Sequence, residues 1–183
     1  KAVEEKHDAM KAMFSEPAQQ KTLEEAKALL PDIEEKGSAR QEFVNKIRSL
    51  LDPSAANKED ASETFFKEDG NELMKNLKVA EDDLDEEVAG EGEGSASLPL
   101  GVGTVQPPQG GVMNVLNYTT YFEMKARAGN VGKNGVAKLV DKLAPQVQRI
   151  HLIGHSFGGR VVTATAASSS TDKIKSMSLL QTA

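Results

Sequence analysis

The stretch Arg149–Ser168 restricts what this chain can fold into more than any other. A short run containing Ile150, Leu152 and Ile153 leads directly into Gly154-His155-Ser156-Phe157-Gly158, and the residues from Phe157 to Ser168 are small and apolar. An apolar run of that length, closed by glycine, suits a strand buried in a parallel sheet, and the small residues after it suit a helix packed tightly on that sheet. Between a strand and a helix, Gly-x-Ser-x-Gly has a mechanical purpose. The serine sits on a sharp turn in strained backbone geometry, and glycines two residues before and after it give the turn room. Such a turn lifts the Ser156 hydroxyl clear of the sheet and beside a helix N-terminus, where the helix dipole and a free backbone N–H favour developing negative charge. Ser156 is therefore the candidate nucleophile and the Phe157 N–H a candidate oxyanion donor, with Gly154, His155, Gly158 and Gly159 forming the turn. The competing reading is an idle serine in a glycine-rich strand-to-helix turn.

The flanks fit a layered α/β unit. Val112–Met124 predicts a helix, and Asn134–Ala144 predicts another, with Val136, Leu139, Val140 and Leu143 on one face and Pro145 closing it. Ser176–Leu180 predicts the strand after the nucleophile helix. Helix, strand, helix, strand is the order of a right-handed parallel unit.

A serine nucleophile needs a base and an acid, and no residue here fills either role well. His155 adjoins Ser156 on a tight turn, so its ring points elsewhere. His151 lies on the strand, and His7 lies far upstream in an acidic helix, against the order Ser, Asp/Glu, His of such sites. Asp141 precedes the nucleophile, and Asp172 falls in the polar turn before the last strand, at the wrong end of the sheet. The expectation is a chain cut at both ends, with its acid and base beyond Ala183.

The first half reads as a helical segment over residues 1–80. Thr22-Leu23-Glu24-Glu25 and Ser38-Ala39-Arg40-Gln41 have the form of capping boxes. Phe43, Val44, Ile47, Leu50 and Leu51 share a face, Phe65 and Phe66 mark a third short helix, and Leu73, Met74 and Leu77 a fourth after Gly70. These stripes are packing surface. Residues 81–111 begin with an acidic run and continue rich in Gly, Pro and Ser, which predicts a flexible linker or long surface loop. Residues 112–183 are then a partial α/β core that holds the turn at Ser156. Charge divides the same way, with 13 Lys and Arg against 25 Asp and Glu from Lys1 to Ser97, and 9 against 3 from Leu98 to Ala183. An acidic first half repels phosphate, and the second half has no Lys/Arg cluster, so no nucleic-acid partner is expected.

Several other chemistries are excluded. The chain has no cysteine, hence no disulfide or thiolate metal site; this fits a reducing compartment and favours the cytoplasm. No stretch reaches the roughly 20 apolar residues that a membrane span needs. Gly129-Asn130-Val131-Gly132-Lys133-Asn134 is no phosphate loop, because Arg127 and Asn134 stand where glycine and Ser/Thr are required. Gly101-Val102-Gly103 lacks the third glycine of a dinucleotide fingerprint, and no histidine pair has zinc spacing. No cofactor or metal is expected.

The stretch from Asn117 to Ala183 resembles the α/β-hydrolase superfamily, through Tyr121, Met124-Lys125-x-Arg127-Ala128-Gly129, Gly132, Gly135-Val136, RIHLIGHSFGGRVV and the closing SMSLLQTA. It is similar in particular to uncharacterised microbial serine hydrolase-like proteins, of esterase or lipase type, that carry an acidic helical insertion before the nucleophile strand. The resemblance covers about a third of the chain. It implies a doubly wound parallel sheet, a Ser-Asp/Glu-His triad, and hydrolysis of a small-molecule ester, thioester or amide through an acyl-enzyme. Ser156 and Phe157 are the positions that carry over; the second oxyanion donor has no counterpart here. Two alternatives stand beside this: an acyltransferase, and a binding or scaffold protein that kept the fold without the triad.

Overall fold

The computed structural model describes residues 2–53, 62–77 and 109–182. The described residues are mostly helical, with one small two-stranded parallel sheet. They form two compact units, Lys1–Thr120 and Tyr121–Ala183.

In the first unit, helices α1 (Ala2–Met13), α2 (Pro17–Ala28) and α3 (Gly37–Arg48) are followed by α4 (Ser62–Lys67) and α5 (residues 70–77). Most of the expected apolar stripes face its core: Phe43, Val44 and Ile47 are all but fully buried, and Leu50, Leu51, Phe65, Leu73 and Met74 nearly so, and Phe14 and Leu23 join them there. Both expected capping boxes are misplaced. Thr22 lies inside α2, where its hydroxyl donates to the Ala18 carbonyl at 3.1 Å. The N-cap is Glu16 rather than Thr22 because Pro17 suits the first helical position, and the Glu16 N–H finds Gln19 Oε1 at 3.4 Å. Ser38 likewise lies within α3, whose N-cap is Lys36. The Thr22 pattern lies inside an already favourable helical window and so does not mark a start.

Helix α6 (Gln109–Val131) contributes to both units. Its first half belongs to the helical unit, where Val112, Val115 and Leu116 are buried, Asn114 Nδ2 donates to the Leu77 carbonyl at 2.9 Å, and Tyr118 stacks on Phe65. Residues 109–111 of the expected linker are therefore helical; the part from 81 to 108 lies outside the described residues.

The second unit holds the end of α6, a π-helical turn at Gly132–Val136, α7 (Ala137–Leu143), strand β1 (Ile150–His155), α8 (Phe157–Ser168) and strand β2 (Ile174–Leu180). Where the sequence predicts two separate helices, the chain stays helical from Gln109 to Leu143, and Gly129 and Gly132 are absorbed within it. Gly132 serves close packing: a Cβ there would lie 2.3 Å from the Val161 carbonyl oxygen of α8. The buried Thr165 hydroxyl donates to the carbonyls of Val161 (2.9 Å) and Gly132 (3.3 Å), and so helps satisfy the backbone of the π turn.

Strands β1 and β2 pair in parallel, with Leu152 opposite Met177, Gly154 opposite Leu179 and His155 opposite Leu180. Alternation divides the sheet into two faces. Leu152 and Gly154 are buried, and Met177 on the same face meets the Thr163 hydroxyl of α8 at 3.9 Å. The other face carries His151, Ile153 and His155 with Ser176, Ser178 and Leu180, and it is exposed; Ile153 is 69% exposed and Leu180 53%.

Candidate functional site

β1 ends at His155 and α8 begins at Phe157, so Ser156 alone makes the turn between strand and helix. Its backbone has φ 52° and ψ −125°. This conformation lies outside the wells that L-residues prefer, and holding a non-glycine residue there costs on the order of 1–3 kcal/mol. Serine at a helix N-cap ordinarily has extended φ/ψ and bonds its hydroxyl to the first turn of the helix. Ser156 makes no such capping bond. Its backbone does that work, with the Gly159 N–H donating to the Ser156 carbonyl at 2.9 Å. The hydroxyl, on a half-buried residue, is left uncommitted at the head of α8.

The surrounding turn fits closely. The Ser156 N–H donates to the Leu180 carbonyl at 3.0 Å, which ties the turn to the end of β2. A Cβ on Gly154 would lie 2.4 Å from the Gly158 carbonyl oxygen and 2.6 Å from the Gly159 nitrogen, so no side chain fits. Gly158 differs from expectation, since an added Cβ there would meet nothing within 4 Å. The second crowded glycine is Gly159, whose Cβ would fall 2.3 Å from Thr182 Oγ1. Phe157 provides the first N–H of α8, which no intrahelical carbonyl can reach. Its half-buried ring packs at 41° on Tyr121 of α6, centroids 5.5 Å apart.

None of the histidines is joined to Ser156. The exposed His155 ring places Nε2 3.3 Å from Gln181 Oε1. His151 Nδ1 lies 2.7 Å from the Ser176 hydroxyl on the neighbouring strand. His7 is buried in the helical unit against the Leu23 carbonyl, at 2.7 Å. The two carboxylates considered from sequence are equally remote. Asp172 precedes β2, and the seven residues of that strand span roughly 20 Å before the turn at Ser156 is reached. Asp141 accepts from the Ser169 hydroxyl (2.5 Å) and the Ser170 N–H (3.0 Å), bonds that hold its carboxyl below the usual range, the Ser169 hydroxyl most. It fastens the chain leaving α8.

Two residues escaped sequence reading. Gln181 has φ 41°, the only other non-glycine residue with positive φ among those described, and Thr182 fills the space that Gly159 leaves. Glutamine has no particular taste for that conformation, so no sequence signal was available.

No three or more His, Cys, Asp or Glu side chains converge among the described residues, and no helix there is long and apolar enough to cross a membrane. No family model, no curated protein and no solved structure matches this chain.

Proposed function

We propose that this chain carries the nucleophile elbow of a serine hydrolase of the α/β-hydrolase fold, acting on small-molecule acyl substrates of carboxylester type through an acyl-enzyme. The observation that carries the reading is the Ser156 backbone: a non-glycine residue held at positive φ between a parallel strand and a helix, its hydroxyl unused by the helix it heads. Strain of this kind persists only where the surroundings over-determine it, and it concentrates at functional sites.

In this mechanism Ser156 Oγ attacks the carbonyl carbon of the substrate, and its proton passes to a histidine base. The carbonyl oxygen gains the negative charge and is met by the Phe157 N–H at the positive end of α8. Collapse expels the alcohol, protonated by the same base; water then releases the acid by the same steps in reverse order. Neither His151 nor His155 serves as that base, since each ring is paired along the sheet.

A fluorophosphonate probe applied to the natural full-length protein tests this directly. The probe should attach to Ser156, and Ser156→Ala should abolish attachment. A protein that stays unlabelled, or is labelled equally well after Ser156→Ala, would refute the proposal and favour a scaffold role.

A further inference from the structure

The two positive-φ residues, Ser156 and Gln181, lie far apart in sequence and side by side in the fold. Three contacts join their segments. The Ser156 N–H donates to the Leu180 carbonyl at 3.0 Å, His155 Nε2 lies 3.3 Å from Gln181 Oε1, and Thr182 sits where a Gly159 side chain would be. After β2 the chain thus forms a strap across the turn, bonded to the residues before and at the nucleophile and packed on the residue three beyond it.

We propose that Gln181 is a positioning residue for Ser156. Its amide oxygen accepts the proton on His155 Nε2, which holds the His155 ring along the sheet and the turn in its strained form. The strained backbone at Gln181 is what brings that amide within reach. Gly159 is needed for the same reason, because any side chain there would displace Thr182 and lift the strap. Gln181 does not touch the substrate. It acts through the backbone of the turn, and the inference rests on reading Ser156 as a nucleophile.

The test separates positioning from stability. Asparagine tolerates positive φ better than glutamine, but its amide is one methylene shorter and falls short of His155. Gln181→Asn should therefore fold with a melting temperature at or above that of the wild type, yet react with fluorophosphonate roughly tenfold more slowly, as expected for a displaced nucleophile. Gln181→Glu keeps both reach and an accepting oxygen, and should react within about threefold of the wild type. A Gln181→Asn protein labelled at the wild-type rate would overturn the role, as would a Gln181→Glu protein as slow as Gln181→Asn. These results presuppose a labelled wild type; an unlabelled wild type fails the hydrolase reading itself and this inference with it.

Discussion

Gly154 and Gly158 occupy equivalent places in the Gly-x-Ser-x-Gly spacing but not in the fold. A Cβ at Gly154 would press on the backbone of Gly158 and Gly159, which cannot move without displacing the first turn of α8. Gly154→Ala should therefore destabilise the protein by about 1–3 kcal/mol and disrupt the turn at Ser156. At Gly158 the same methyl would enter open space in a helical first turn. Gly158→Ala should be neutral or stabilise by about 0.5–1 kcal/mol, because alanine loses less backbone freedom than glycine in a helix. Denaturant midpoints of the two variants measure the contrast, and equal losses would show that the turn is not packed as described. The position of Ser156 was legible from sequence because glycine spacing, an apolar strand and a small-residue helix all agree on one turn. That Gly159 rather than Gly158 is crowded was not legible, since this depends on Thr182, which follows β2.

At the scale of elements, periodicity located helices well and their ends less well. The expected helix Phe157–Ser168 has those bounds, because the turn at Ser156 fixes its start and polar Ser169–Thr171 its end. The Thr22 pattern failed as a start because neighbouring residues were already good helix formers, whereas Ser38 lies one residue inside α3, which opens at Gly37. What fastens α8 at its far end is Asp141 of α7, which accepts from Ser169 and Ser170. Its carboxyl is held below the ordinary value, chiefly by the Ser169 hydroxyl. A depressed folded pKa contributes stability above the unfolded value of about 3.9, and that stability is lost as pH falls through the folded value. Asp141→Asn should thus lower stability at pH 7, while the difference from the wild type shrinks below about pH 4. Urea midpoints of both proteins from pH 3 to 7 check this. A gap independent of pH would mean that the carboxylate charge plays no part.

Across the whole molecule, charge and burial separate the same two units. The −12 counted in the first half falls within Lys1–Thr120, and the +6 of the second within Tyr121–Ala183, because residues 98–120 carry no charge. Composition placed the division at the acidic, glycine-rich stretch. The fold places it later, at Thr120, since the apolar residues that open α6 pack with the helical unit, and sequence does not say which core an apolar residue will join. Burial is more uneven still. Among the described residues the largest completely enclosed side chains, Phe14, Phe43, Met10, Leu23 and Ile47 among them, lie in the first unit, with Thr165 alone of that set in the second. Among the described residues every exposed large hydrophobic, from Met124 to Leu180, lies in the second. A parallel sheet normally has both faces covered, and two strands alone are marginal. Local stability should follow this division, because opening free energy tracks the apolar contacts that an element makes. In native-state hydrogen exchange on residues 1–183, the amides of α2 and α3 should exchange at least ~10-fold more slowly than those of β1 and β2. Ile153 and Leu180 are exposed and lie in the second unit, so Ile153→Thr with Leu180→Thr should leave exchange in α2 and α3 unchanged. Uniform protection across both units would show instead that the chain opens as one cooperative body, with the exposed sheet face carrying no energetic penalty.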